Sequence, residues 1–183
     1  VMEDFFKFSY PDINTIVVDS TLDALKMVSI GKAEAYVGSQ YVASYLINQN
    51  LLHGVKAIAH VGDTPQFLHM AVPKGQDILR DIMDKALGSI TEKEKRTIID
   101  RYVSISPSLG VGNIAATTID LTEKEQKWLK DHPVLVVAPD PDYPPLEFFD
   151  EKGRYQGVAA DFMRLVAERL GISLEVVKKE NWT

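Results

Sequence analysis

The sequence predicts an α/β fold, and two observations predict it. Short runs of β-branched and apolar residues, such as TIVV at 15–18 and SLEVV at 173–177, have the length and composition of buried strands. Between such runs lie longer segments whose apolar residues recur at the spacing of one helix face. Strands that alternate with helices form βαβ units, whose strands pair in parallel. We therefore expect mostly parallel sheets.

Residues 1–65 predict a short helix followed by alternating strands and helices. The helix that begins at Asp19 or Ser20 ends at Gly31, because a capping side chain favours a helix start and glycine favours a helix end. Ser39 and Gln40 open the next helix. The elements are expected as helices at 2–8, 20–30 and 40–49 and as strands at 15–18, 34–38 and 55–60.

Residues 66–133 predict a strand, two helices, a linker and a further short helix. The strand is expected at 67–72, before the Pro-Lys-Gly break at 73–75. Two S/T-x-x-E capping boxes, Thr91 with Glu94 and Thr122 with Glu125, mark helix starts. Residues 104–120 are rich in Ser, Gly, Pro, Thr and Ala, which is typical of a linker. The helices are expected at 76–87, at 91–102 and from about 122 to Pro133.

The last fifty residues predict a strand, a loop, a helix and a second strand. The strand at 134–138 is followed by PDPDYPPLEFFD at 139–150, here named the acidic loop. A helix is expected at 159–170 with Gly171 as its C-terminal stop, and a strand at 173–177.

Composition excludes several classes of function. The net charge is −6 and no basic block is present, so nucleic acid is not an expected partner. The absence of cysteine excludes disulfides and thiol catalysis. No apolar run reaches the ~18 residues that a membrane span needs. The first residue is valine rather than methionine, so we expect the chain to be a piece of a longer protein.

The acidic loop is the first candidate site. It follows a strand, and open α/β sheets bind ligands at the carboxyl ends of their strands. Asp140 and Tyr143 suit a small organic ligand, because the ring supplies contact area and the acid meets a cation or hydroxyl. A solvated acidic turn is the alternative interpretation. Paired carboxylates also occur in glycosidases and metal sites, but the spacing here is diagnostic of neither.

Ser39 and Gln40 form the second candidate site. They follow a predicted strand and open a helix whose first backbone N–H groups favour an anion such as a ligand carboxylate. We expect Ser39 to cap this helix, and that role does not exclude contact with a ligand. No histidine pair, nucleotide-binding glycine pattern or G-x-S-x-G motif is present. We therefore predict no catalytic residue, no metal site and no cofactor.

The chain resembles family 3 of the extracellular solute-binding proteins, the Venus-flytrap modules. The likeness rests on DSTLDALKMVSIGKAEAYVGSQYVASYLI, FLHMAVPKGQ and ITEKEKRTIIDRYV in the first part, and on LTEKEQKWLKDHPVLVVAPDPDYPPLEFFDEKGRYQGVAADFMRLVAERLG in the second. It is strongest for the tandem modules in the periplasmic sensor regions of hybrid histidine kinases and related diguanylate cyclases. The resemblance implies periplasmic-binding-protein-like (type II) lobes, incomplete or permuted.

The resemblance divides the chain into the end of one module and the start of the next. Residues 1–65 are then the second lobe of the first module, and 66–103 are the return strand and closing helices of its first lobe. Residues 104–133 are the linker and joint helix, and 134–183 begin the first lobe of the second module. Such a chain lacks a complete pocket, so the pieces are expected to pack within one chain or by exchange in a homodimer.

The resemblance also implies roles for the candidate residues. Asp140 and Tyr143 lie where first-lobe residues contact the ligand, and Trp182 is the aromatic residue that would sandwich the ligand with Tyr143. Amino-acid binders usually have Asp at the position of Ser39, which is followed here by Gln40. That departure puts α-amino-acid binding in question, and the ligand is left open between an amino acid and a carboxylate.

The function implied is that of an extracytoplasmic sensor module in a protein anchored in the inner membrane, which signals by lobe closure. A solute-binding component of an ABC transporter is the alternative. An enzyme on the same fold, such as a dehydratase, is disfavoured because no nucleophile–base pair is visible.

Overall fold

The computed structural model describes residues 2–59, 69–103 and 118–178. The chain divides into two compact units, Val1–Gly62 (unit 1) and Asp63–Thr183 (unit 2). Several sequence predictions lie outside the described residues: Trp182, the linker at 104–117, and residues 60 and 67–68 of two predicted strands.

Unit 1 contains the three predicted helices, α1 (Met2–Ser9), α2 (Thr21–Ser29) and α3 (Gln40–Gln49). The hydroxyl of Ser20 accepts the Asp23 N–H at 3.1 Å, which makes Ser20 the N-cap of α2. Gly31 follows α2 with φ +72°, the left-handed conformation that glycine adopts at helix ends. These local signals therefore placed both ends of α2 correctly.

The strands predicted in unit 1 are wrong for its described residues, which contain no strand pairing. The segments at 15–18, 34–38 and 55–59 lack ladder partners among the described residues, and most of their residues are exposed. Val17 is 69% exposed and Ile58 is 79% exposed. Parallel strands are stable when both faces of their sheet are covered, and Leu25 is the one buried apolar side chain among the described residues of this unit.

Unit 2 contains the four helices predicted from caps and periodicity, although residues 69–72, part of a predicted strand, form no strand. The Thr122–Glu125 capping box is present, and Thr91 and Glu94 make the same reciprocal bonds. The helices are α4 (Asp77–Gly88), α5 (Glu92–Val103), α6 (Glu123–Asp131) and α7 (Val158–Leu170).

Two small sheets complete unit 2. Strands β1 (Val134–Val137) and β5 (Ser173–Val176) pair in parallel, with Val134 opposite Ser173. Helix α7 connects them, so the β1–α7–β5 segment is the predicted βαβ unit. The second sheet is antiparallel, in the order β2 (Asp142–Tyr143), β3 (Glu147–Phe149) and β4 (Tyr155–Gln156). The α/β class with parallel strand pairing is confirmed.

The core of unit 2 lies between α4, α5 and α7. Ala86, Met83 and Ile98 from α4 and α5 pack in one cluster with Met163 and Val166 from α7. Burial of a side chain such as Val166, which is fully buried, contributes about 1.5–3 kcal/mol. Helices α4 and α5, which precede residues 104–117 in the chain, thus share a core with α7, which follows them.

Two ion pairs accompany this core. Arg169 on α7 pairs with Glu94 on α5, and both side chains are nearly buried. Lys85 on α4 donates to Glu125 on α6 at 2.7 Å. Although burial raises the pKa of Glu94, hydrogen bonds from Thr91 and Arg169 outweigh it and hold that pKa below its ordinary value. Within the described ranges, no helix has both the length and the apolarity that crossing a bilayer requires.

Candidate ligand-binding loop

The acidic loop, which the sequence predicted to be a loop without strands, contains two strands of a small antiparallel sheet. Asp142 pairs with Phe148 and Tyr143 pairs with Glu147 across β2 and β3. Strand β4 adds the third strand through the pairing of Phe149 with Tyr155. The loop therefore has a backbone ladder of its own, at the carboxyl end of β1.

Asp140 and Tyr143 lie together at the start of this loop. The carboxylate of Asp140 accepts the backbone N–H of Asp142 at 3.0 Å, an Asx-type turn that leads into β2. Tyr143 is 42% exposed, so its ring is available to another molecule. Its carbonyl accepts the N–H of Leu146 at 2.9 Å and closes a turn over Pro144 and Pro145, which are joined by a cis peptide bond.

The N-terminus of α7 holds the far side of the turn. Val158 and Ala159 donate their N–H groups to the carbonyls of Pro145 and Leu146, at 3.0 and 2.8 Å. The first helical donors, which have no partner inside the helix, are thereby satisfied by the loop. Gly157 caps the helix without a side chain and lies against the Leu146 carbonyl. The loop is fixed to α7 by its backbone.

Two other acids of the loop have structural partners. Glu147 accepts the hydroxyl proton of Tyr155 at 3.1 Å, and burial together with this carboxylate raises the pKa of Tyr155 strongly. Asp150 accepts the N–H groups of Lys152 and Arg154 and the Arg154 side chain at 2.7 Å. The Arg154 backbone hydrogen bond is the main reason that the pKa of Asp150 is lowered.

The end of β5 reaches the same edge of unit 2. The Val177 N–H donates to the carbonyl of Val137 at 2.8 Å, so the chains leaving β1 and β5 run side by side. Lys178 then lies 5.3 Å from the centre of the Phe149 ring, within the range of a cation–π contact. A cation thus lies beside an aromatic ring of the acidic loop, at the carboxyl ends of both parallel strands.

Ser39 and Gln40 lie in unit 1, at the start of α3. The hydroxyl of Ser39 accepts the Val42 N–H at 3.5 Å, which supports the capping interpretation of this residue. Gln40 is exposed. Among the described residues, no group of three or more His, Asp or Glu side chains is arranged to hold a metal ion.

Sequence reasoning missed Asp161, a buried carboxylate in the first turn of α7. Its oxygens accept hydrogen bonds from Arg101 and Tyr102 of α5 and from Arg164 of α7. The only sequence signal is an acid at a position that the apolar stripe of α7 turns inward. Its partners on α5 lie 59 and 60 residues away in the chain, so no local pattern shows them.

The end of the chain matches a known family of binding proteins. Residues 135–183 match the family model of bacterial extracellular solute-binding proteins, family 3. The matched stretch resembles a family 3 solute-binding segment. It covers most of β1, the acidic loop, α7 and β5, so the resemblance inferred from the sequence is confirmed where it was most specific.

Curated relatives extend the likeness over nearly the whole chain. The sensor protein EvgS of Escherichia coli (strain K12) is 25% identical over 171 residues, which is 92% of this chain and 14% of EvgS. The virulence sensor protein BvgS of Bordetella pertussis is 25% identical over 170 residues, 92% of this chain and 13% of BvgS. The chain therefore spans a small part of the length of these relatives.

A solved structure is also similar. The crystal structure of the B. pertussis BvgS periplasmic domain aligns with 96% of this chain and 33% of that chain, at 24% identity and a TM-score of 0.46.

Proposed function

We propose that this chain is part of the extracytoplasmic sensor region of a membrane signalling protein of the histidine kinase type, and that it binds a small molecule. The parent protein is anchored in the inner membrane, and lobe closure around the ligand carries the signal. The observation that carries the proposal is the acidic loop, fixed to α7 at the carboxyl ends of β1 and β5 with the Tyr143 ring exposed. The similarity to the sensor proteins EvgS and BvgS supports the sensing role.

The proposed module order is that of a tandem array. Residues 1–65 and 66–103 are the second lobe and the closing helices of one module, 104–133 are the joint, and 134–183 begin the next module. The family match begins at residue 135, close to the proposed start of the second module.

Asp140, Tyr143 and Trp182 are the proposed ligand contacts of the second module. Asp140 is half-buried and holds the turn, so its carboxylate has a fixed position from which to meet a cation or hydroxyl. Ser39 and Gln40 are the proposed contacts of the preceding module, where the helix start favours a carboxylate. Each of these two sets completes a pocket only with lobes that lie elsewhere in the parent protein.

The test is a thermal-shift screen of the intact parent with amino acids, amines and carboxylates. Any compound that raises the melting temperature is then tested on Tyr143→Ala and Trp182→Ala, which should lose the stabilisation. Tyr10→Ala is the matched control, because Tyr10 is 43% exposed and lies outside the proposed site. Retention of the full shift in both site variants would refute the assignment of the pocket.

The alternative is a solute-binding component of an ABC transporter, which the name of the matched family favours. A sensor passes the bound state to its own output domain, whereas a carrier delivers the solute to a permease. Ligand-dependent autophosphorylation of the parent supports sensing. Ligand binding by a parent with no output domain supports the carrier.

A further inference from the structure

Asp161 joins two helices that are far apart in the sequence. Tyr102 of α5 donates its hydroxyl proton to the Asp161 carboxylate at 2.9 Å, and Arg101 of the same helix donates to the same oxygen. Arg164, one turn along α7, donates to the other oxygen at 2.6 Å. The Asp161 side chain is 9% exposed. A buried carboxylate needs such donors, so its position depends on α5 as well as on α7.

Asp161 is also bonded to the start of α7. Its backbone N–H donates to the carbonyl of Gly157 at 3.1 Å. The carboxylate that Tyr102 binds therefore lies on the turn of α7 that begins at Gly157. Burial is the main cause that raises the pKa of Tyr102, followed by the charge of Asp161.

From Gly157 the contacts continue into the acidic loop. Gly157 lies against the Leu146 carbonyl, the next two residues donate to the carbonyls of Pro145 and Leu146, and the Leu146 N–H donates to the carbonyl of Tyr143. Every step is a backbone contact, so a shift of the first turn of α7 moves the turn that carries Tyr143. Side-chain rearrangement alone cannot absorb such a shift.

We propose that Tyr102 and Asp161 are positioning residues through which α5 sets the place of the acidic loop. In the proposed module order, α5 closes one flytrap module and the acidic loop belongs to the next. The Tyr102–Asp161 contact then links the conformation of one module to the ligand contacts of its neighbour. The link to ligand sensing rests on the proposed function, whereas the positioning of the loop does not.

Amide hydrogen exchange of the full chain tests this without any ligand. Tyr102→Phe keeps the ring and removes the hydroxyl, so the core packing of α5 is preserved. Exchange should accelerate about tenfold in peptides covering 142–150 and 155–160, since a hydrogen bond to a charged group contributes at least that factor. Peptides from α6 should be unchanged.

Lys85→Gln is the matched control. It removes a part-buried hydrogen bond between a charged side chain and Glu125, at 2.7 Å, without touching α5 or the start of α7. Its effect should be confined to α4 and α6. Unchanged exchange in the loop of Tyr102→Phe, or a uniform increase across unit 2, would overturn the positioning role. Failure of the ligand screen together with selective loosening of the loop would instead count against the ligand assignment alone.

Discussion

The backbone of Gly157 lies so close to Leu146 that no side chain fits between them. A Cβ atom at Gly157 would stand 2.4 Å from the Leu146 carbonyl oxygen, and the residue has φ +115°. Gly157→Ala should therefore destabilise unit 2 by more than about 3 kcal/mol, because backbone strain of order 1–3 kcal/mol adds to the displaced loop. Urea unfolding followed by circular dichroism measures this loss.

Gly153→Ala separates the cost of the left-handed backbone from the cost of the contact with Leu146. Gly153 also has positive φ, +72°, but a Cβ atom there would meet nothing within 4 Å. This variant should lose only about 1 kcal/mol, the cost of the left-handed conformation. Equal losses in the two variants would show that the contact with Leu146 has no energetic role.

Helix boundaries were predictable because their causes are local. Ser20, the Thr91–Glu94 pair and the Thr122–Glu125 pair satisfy backbone groups within one turn, so their spacing in the sequence is sufficient. The same holds for Gly171, which ends α7 with φ +67°. The β1–β5 pair was also predictable, because a helix between two apolar runs favours parallel pairing.

Strand pairing elsewhere depends on partner segments that local sequence patterns do not identify. The runs at 15–18 and 55–59 have strand composition but form no ladder, whereas β2 and β4 are two-residue strands in a segment that resembles a loop. Asp161 was missed for the same reason, because its donors on α5 come from a distant segment. Asp140 and Tyr143 were predicted as ligand contacts because they follow a recognisable strand, and that role stays a prediction.

Removing one partner of the Glu94–Arg169 pair should lower the free energy of unfolding, whereas replacing both partners together should change it little. The side chains are 13% and 5% exposed, so Glu94→Gln leaves a buried guanidinium without its counter-charge and should cost about 3–5 kcal/mol. The double variant Glu94→Gln with Arg169→Met removes both charges, keeps a side-chain oxygen that can accept the Thr91 N–H, and should recover most of that loss. Thermal unfolding of the three proteins measures the difference.

An exposed ion pair provides the comparison. Arg80 and Asp77 are paired at 3.0 Å, but their side chains are 55% and 74% exposed, and such pairs contribute little to stability. Arg80→Gln should leave the unfolding midpoint nearly unchanged. A double variant no more stable than Glu94→Gln would mean that packing around Arg169, rather than its charge, dominates this site.

Unit 2 should lose stability in acid. The pKa values of Glu94, Glu125 and Asp150 are lowered in the folded protein. A group with a lowered folded pKa stabilises the fold fully above its unfolded pKa, about 4.3 for Glu, and this contribution is lost as the pH falls through the folded pKa. The free energy of unfolding should therefore be flat from about pH 7 to pH 5 and decline below.

A variant of one carboxylate tests whether these groups cause the loss of stability in acid. Glu125→Gln removes one of the three carboxylates while keeping the side-chain volume, so the protein should be less stable at pH 7 and its acid decline shallower. Urea titrations at half-unit pH intervals measure both slopes. A decline equally steep in the variant would assign the acid sensitivity to other carboxylates.

Hydrogen exchange should be slower in α4 and α7 of unit 2 than in α2 and α3 of unit 1. Helix α7 buries seven residues and α4 buries four, whereas α3 buries none and α2 buries only Leu25. Amides exchange through local opening, and the free energy of opening rises with the apolar surface that opening exposes. Protection should therefore be highest in α7 and α4. Equal protection in α2 and α3 would require buried contacts for those helices beyond the ones described.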